Sequence, residues 1–246
     1  MPRDFYASDA WGSTVPRTKL EQRERQAITL LRAHRRQYTG DLIDIGSGDG
    51  CFLEAIAKEQ PGWRLHGFDG SEAQTAKARC RLPQAVLRVG DIETRLPYDD
   101  SSFDIVFAGE IIEHLINPDH LIAEATRLLR PRGLLCITTP NLLAWYNRVF
   151  IVAGMSPLFV EYSTVDASVG YGILRRLKEQ RPVGHLRIFH PRAIQDLLRA
   201  NELQVLRLRA AEFTALPKTI RVFDRLIAKL IPSAGSVNIF LAQRQP

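Results

Sequence analysis

Apolar and polar positions along the chain repeat with two different periods. From Lys19 to Arg36, Leu20, Ala27, Ile28, Leu30 and Leu31 recur among charged residues, the stripe of an amphipathic helix. A short apolar run, Leu42, Ile43 and Ile45, is broken only by Asp44 and reads as a buried strand. Glycines at alternate positions, Gly46, Gly48 and Gly50, separate it from a helical segment, Cys51 to Ala57. Pro61-Gly62 marks a break before a second strand, Arg64 to Asp69. Ser71, with Gln74 three residues on, caps a helix to about Arg81. Ala85 to Val89 and Phe103 to Ala108 form the third and fourth strands. Asn117-Pro118 opens a helix whose Leu121, Ile122, Ala125, Leu128 and Leu129 keep helical spacing until Pro131 and Gly133; a fifth strand, Leu134 to Thr138, follows. This alternation predicts an α/β fold, a parallel sheet with helices on both faces.

Two stretches depart from the alternation. Residues 141–184 are too long for an ordinary connection and carry Trp145, Tyr146, Val149, Phe150, Ile151, Leu158, Phe159 and Tyr162, as a lid or substrate-binding element would. After a helix from Pro191 and a strand from Gln204 to Arg209, a second insertion, 211–233, precedes the last strand, Val237 to Ala242. The organisation expected is one domain: an arm and helix (1–38), a core (39–140), the lid insertion (141–184), and a C-terminal helix and strand pair (185–246).

Composition changes this picture little. The chain is 45% hydrophobic and 24% charged, with a net charge of +6 from scattered arginines rather than a dense basic run, so nucleic acid is disfavoured as a partner. Cys51, Cys80 and Cys136 show no metal-knuckle or disulfide spacing. With no apolar leader at Met1 and no run long enough to span a bilayer, a cytoplasmic protein is expected.

Candidate chemistry begins at the glycine turn. Glycine allows close backbone approach to a ligand, and the following helix turns its N-terminus toward it. Asp69 lies 19 residues beyond Gly50, where an acid can accept from both ribose hydroxyls. Gly90-Asp91-Ile92 ends the third strand with an acid for an adenine amine and an apolar side chain for the ring. The dinucleotide fingerprint is G-x-G-x-x-G. Here the spacing is G-x-G-x-G, with Cys51 in place of the third glycine, which argues for a smaller nucleoside.

Asp44-Ile-Gly-Ser-Gly-Asp-Gly50, Gly67-Phe-Asp-Gly-Ser71, Gly90-Asp-Ile-Glu93, Phe103-Asp-Ile-Val-Phe-Ala-Gly-Glu110 and Leu129-Arg-Pro-Arg-Gly-Leu-Leu135 resemble the successive motifs of class I S-adenosylmethionine-dependent methyltransferases. The resemblance covers roughly residues 40 to 140 and continues more weakly beyond. It implies a Rossmann-like seven-stranded sheet, mostly parallel, with a C-terminal antiparallel hairpin. It also implies S-adenosylmethionine as cofactor. Asp44, Gly46, Ser47, Gly48 and Gly50 would lie under the methionine part, Asp69 with Gly70 and Ser71 on the ribose, and Gly90, Asp91 and Ile92 on the adenine. Gly109 and Glu110 would close the fourth-strand side.

Glu110, Glu113 and His114 follow that strand. On a helix they would share one face, where His114 could take a proton from an acceptor hydroxyl with the two carboxylates placing it. The same trio could instead hold a hard divalent cation, or be plain strand-end and first-turn residues. The tract resembles ubiquinone-pathway O-methyltransferases and also small-RNA 2′-O-methyltransferases, in which it binds magnesium with a later histidine; His185 and His190 are on offer here. Gly184-His-Leu-Arg-Ile-Phe189 is similar to bacterial methyltransferases acting on small molecules and glycans.

In the second insertion, Ile220, Phe223, Ile227 and Leu230 keep helical spacing, with Lys218, Arg221, Arg225 and Lys229 on other faces. Such a helix can pack on the protein, cover an apolar substrate or lie on an anionic membrane. The function expected is O-methylation of a small-molecule, glycan or lipid-linked, partly apolar acceptor, with peripheral membrane contact in view. Metal-dependent RNA 2′-O-methylation and a non-catalytic cofactor-binding subunit are the alternatives.

Overall fold

The computed structural model describes residues 17–34, 39–172, 175, 181–214 and 216–246. The expected arm before Arg17, the end of the first helix beyond His34 and part of the first insertion lie outside the described residues.

Seven strands form one sheet in the order β3-β2-β1-β4-β5-β7-β6. β1 (Gly40–Ile45), β2 (Trp63–Asp69), β3 (Val86–Val89), β4 (Phe103–Gly109) and β5 (Leu129–Pro140) are parallel, with Asp44 level with Gly67 on one side and Phe107 on the other. β7 (Val237–Arg244) runs antiparallel between β5 and β6 (Leu203–Ala211), the hairpin expected. The strand reversal leaves the carboxyl ends of β1, β2, β3, β4 and β5 on one edge, where ligands bind in open sheets of this kind.

Helices cover both faces. α1 (Gln22–His34) and α2 (Cys51–Glu59) bury Leu30, Leu31, Phe52 and Leu53 against Leu42, Phe107 and Cys136. α4 (Pro118–Leu128) and α6 (Pro191–Ala200) bury Leu121, Ile122, Leu128, Ile194 and Leu198 against Ile43, Val106, Leu135 and Phe240 on the other face. α3 (Glu72–Arg81) is capped by Ser71, whose Oγ accepts from the Gln74 backbone, as the spacing predicts.

β5 differs from expectation. It starts at Leu129, not Leu134, and takes in Pro131 and Gly133, because pairing of Leu129 with Phe103 is kept while Arg132 takes a left-handed conformation (φ 62°). The second correction concerns α7 (Lys218–Leu230) in the second insertion. Its buried residues are Asp224 and Ala228, whereas Ile220, Phe223 and Leu230, expected on one apolar face, are exposed. Asp224 is the reason: its carboxylate accepts from Trp145 Nε1 at 3.0 Å, the Phe213 backbone at 2.8 Å and Ser236 Oγ at 2.8 and 2.7 Å. Three donors to a buried carboxylate hold this side of the helix inward. Trp145 belongs to α5 (Trp145–Val152) of the first insertion, so the two insertions pack together.

Candidate functional site

The glycine turn is built by three backbone features. Gly46 (φ 82°), Gly48 (φ 50°) and Gly50 (φ 75°) all lie in the left-handed region that glycine enters without strain. Gly46 and Ser47 donate their N–H groups to the Phe68 carbonyl, at 2.8 and 3.2 Å, fixing the turn to β2. Gly48 donates to Asp69 Oδ2 at 2.8 Å, and Ser71 donates to Asp69 Oδ1 at 2.8 Å. Asp69 thus locks two loops together and still has lone pairs left, because a carboxylate offers about four acceptor sites. A Cβ built on Gly48 would meet nothing within 4 Å, so the turn opens onto space at its tip.

The other strand ends stand alongside. Gly90 donates to the Asp69 carbonyl at 3.0 Å, which places Gly70 and Gly90 side by side. Asp91 Oδ1 accepts from the Glu93 backbone at 2.9 Å, and Ile92 is buried in the core beside Phe68 and Leu96. Asp44 is fully desolvated, and burial pushes its carboxyl well above the usual carboxylate range, with Glu24 and Asp69 adding to the rise. Burial also raises Asp69, partly offset by the two backbone donors.

Asp44, Gly46, Ser47, Phe52, Phe107, Gly109 and Glu110 line a cavity of about 60 Å³. Arg17, Arg23 and Glu24, which no motif announced, complete its lining. Arg17 reaches Glu24 at 2.9 Å and bonds Asp49 through its backbone at 2.7 Å; Arg23 Nε lies 3.8 Å from Glu110. Two cations and three acids therefore converge where the methionine end of the implied cofactor, itself an ammonium and a carboxylate, would sit. With the open space over Gly48 and the acceptor capacity of Asp69, these residues fit that group.

The Glu110–His114 tract does not form the helix expected. Glu110 ends β4 in a left-handed conformation (φ 53°), and only Ile112–His114 is helical, as one 3-10 turn. The two carboxylates consequently part company. Thr138 donates to Glu110 Oε1 at 2.8 Å and Thr139 donates to Glu113 Oε2 at 3.0 Å. Glu110 therefore lines the cavity and Glu113 does not, although the two carboxylates stay close enough for Glu110 to act on Glu113.

Glu113 instead meets histidines. Glu113, His114 and His185 bring one ligand atom each to within 4.8 Å of one another, and the two imidazoles lie 4.9 Å apart. His114 Nδ1 donates to the Gly184 carbonyl (3.2 Å) and His185 Nδ1 to the Phe159 carbonyl (2.9 Å), which assigns the lone pair of each ring to Nε2. Burial lowers the His114 pKa to about 4, helped by His185, so its ring is neutral near pH 7. Burial, with Glu110 nearby, pushes Glu113 well above the ordinary carboxylate range. Glu113 Oε1 is buried without a hydrogen-bond partner. His190, the other later histidine, caps α6 by accepting from the Ala193 backbone and lies outside the cluster.

Residues 43–137 match the family model described as a methyltransferase domain. This stretch is similar to the S-adenosylmethionine-dependent methyltransferases. S-adenosylmethionine is accordingly its cofactor. Among curated relatives, the chain is 33% identical over 117 residues to a protein of Mycolicibacterium smegmatis named a probable S-adenosylmethionine-dependent methyltransferase, covering 48% of this chain and 44% of that one. It is 32% identical over 131 residues to trans-aconitate 2-methyltransferase of Variovorax paradoxus, covering 53% and 50%. The chain thus spans about half the length of the curated relatives it matches. In fold it is similar to a methyltransferase of Methanosarcina mazei (TM-score 0.61, 16% identity, 88% of this chain and 97% of that one). It is equally similar to the [4+2]-cyclase SpnF (TM-score 0.61, 19% identity, 90% and 81%), so the shared methyltransferase fold alone does not name a reaction.

Proposed function

We propose that this protein methylates an acceptor hydroxyl, on a partly apolar small molecule, glycan or lipid-linked substrate. The observation that carries this reading is the neutral His114 ring, held by the Gly184 carbonyl with its lone pair on Nε2 and set beside His185. Bound S-adenosylmethionine supplies an electrophilic sulfonium methyl. Asp69 and Asp91 would hold the ribose and adenine, while Asp44, Gly46, Arg17 and Arg23 hold the methionine end. Positioning provides most of the rate in such an in-line transfer. As the acceptor oxygen forms its bond to carbon it becomes acidic, and on this reading His114 would take the proton. Phe159 stands 6.0 Å from His185 and 4.8 Å from Phe213, an aromatic wall suited to an apolar acceptor body.

A screen of phenols, sugars, trans-aconitate and lipid extracts with methyl-labelled cofactor tests this. An alkali-stable ether product, with turnover falling at least tenfold in His114→Ala while cofactor affinity holds, is expected. An alkali-labile ester, or unchanged turnover in His114→Ala, would overturn the hydroxyl reading.

A second reading is favoured by one observation, the convergence of Glu113, His114 and His185 around the unpartnered Glu113 Oε1. Imidazole rings whose other nitrogen donates to a backbone carbonyl are oriented as metal ligands commonly are. Without Glu110, two imidazoles and one carboxylate suit zinc or iron better than the hard cation expected from the motif. On this reading, activity on RNA or a small acceptor disappears with chelator and returns with one of these metals. Full activity after exhaustive chelation would refute it.

A further inference from the structure

The outward face of α7 is apolar. Val222, Leu226 and Leu230 stand at i, i+4 and i+8, opposite the buried Asp224 and Ala228, and are 68%, 52% and 67% exposed. Phe223, beside this stripe, is also half exposed and meets the Trp145 ring at 5.1 Å, so α5 continues the surface. On α5 the buried residues are Tyr146 and Asn147, while Val149, Ile151 and Val152 face out, Val152 at 90% exposure. Two neighbouring helices therefore bury few large apolar side chains and leave several turned to solvent, unlike ordinary packing on a core.

Charge tells what covers this face. The charged side chains exposed on the two helices are all cationic: Lys218, Arg225 and Lys229 on α7 and Arg148 on α5, with Arg221 half-buried beside them. Asp224, the acid of α7, is buried, and the nearby Glu212 is buried against Arg225. An apolar stripe flanked by lysine and arginine is the arrangement that inserts at the headgroup–acyl boundary of an anionic bilayer. The surface also lies over the candidate acceptor side. Phe213, whose backbone bonds Asp224 at 2.8 Å, touches Phe159, which meets His185.

We propose that the paired outer faces of α5 and α7 dock this protein on an anionic lipid surface, lying on it rather than spanning it. Among the described residues no helix is long and apolar enough to cross a membrane. The proposal goes beyond the methyl-transfer reading, and it needs neither cofactor nor turnover.

Flotation with vesicles tests it. The intact chain is mixed at 50 mM salt with vesicles of phosphatidylcholine alone or phosphatidylcholine with one-third phosphatidylglycerol. Binding to the mixed vesicles, weakening as salt rises, is expected. Val222→Glu with Leu226→Glu should cut partitioning at least tenfold, and Lys218→Ala or Lys229→Ala about fivefold each, from about 1 kcal/mol per cation at such a surface. Both target apolar positions are exposed, and unchanged thermal melting with retained S-adenosylhomocysteine binding verifies that the variants fold. No association above the phosphatidylcholine background, or association that the double variant leaves intact, overturns the proposal. So does concentration-dependent dimerisation that the double variant abolishes without vesicle binding, which would assign the face to a second copy of the chain. Failure on vesicles leaves methyl transfer standing, and failure of methyl transfer leaves the vesicle result readable.

Discussion

Gly48 separates what the glycine turn does for folding from what it does for ligand binding. It lies at φ 50°, and a Cβ there would meet nothing within 4 Å. Gly48→Ala therefore creates no clash in the free protein. Its folding cost is the left-handed backbone alone, about 1 kcal/mol. For a domain of this length that lowers the melting temperature by roughly 2–4 °C. Gly48→Asn reduces even this, because asparagine enters the left-handed region more readily, yet it fills more of the space above the turn. If that space is the cofactor's, affinity should follow side-chain size rather than strain. Calorimetric titration with S-adenosylhomocysteine should show a loss of at least tenfold for alanine and more for asparagine, the better-folded variant. Gly67→Ala is the control: its Cβ would come within 2.7 Å of Leu87 and 2.8 Å of Ser47, so stability should suffer more. Normal affinity in a folded Gly48→Asn protein would refute the assignment of the turn to the cofactor.

Other expectations follow from buried charges. Asp224→Ala orphans Trp145 Nε1, the Phe213 N–H and Ser236 Oγ, and should cost at least about 3 kcal/mol in urea unfolding, with Trp145 emission shifting as α7 detaches; a loss under about 1 kcal/mol would contradict the account of that helix. Glu113 has a raised folded pKa, so the folded state holds its proton longer and wild-type stability falls as pH rises above about 4.5. Glu113→Gln, measured in chelator, should gain on the wild type between pH 5 and pH 9, and a constant difference would argue against a buried acid there. His114 has a lowered pKa, so the unfolded chain binds its proton first and stability is lost as pH falls from 6.5 toward 4, by up to about 3 kcal/mol; His114→Gln should flatten that acid limb.

The glycine turn and the strand-end acids were legible in the sequence because each follows an apolar run at a fixed offset. Positive-φ glycines and acids at strand ends occur at fixed offsets from apolar runs, and Asp44, Gly48, Asp69 and Asp91 stand where those offsets put them. The acceptor side was not legible, for particular reasons. Spacing placed Glu110, Glu113 and His114 on one helical face, but a left-handed Glu110 broke the helix, and Thr138 and Thr139 gave the two carboxylates different partners. Periodicity put Ile220, Phe223, Ile227 and Leu230 on one face of α7 without telling which side packs inward; the tertiary partners of Asp224 decided that. β5 absorbed Pro131 and Gly133 because its pairing with β4 outweighed local breakers. Arg17 and Arg23 gave no signal, since closing a cavity requires reach and charge but no period.

The central claim is that the edge formed by Gly46–Gly50, Asp69 and Asp91 holds S-adenosylmethionine. Titration of the intact chain with S-adenosylhomocysteine, beside Asp69→Ala, tests it most directly. One molecule bound per chain, with affinity falling at least tenfold in the variant while its fold is retained, is the predicted result. No binding by the wild type, or equal binding by both proteins, would contradict the account.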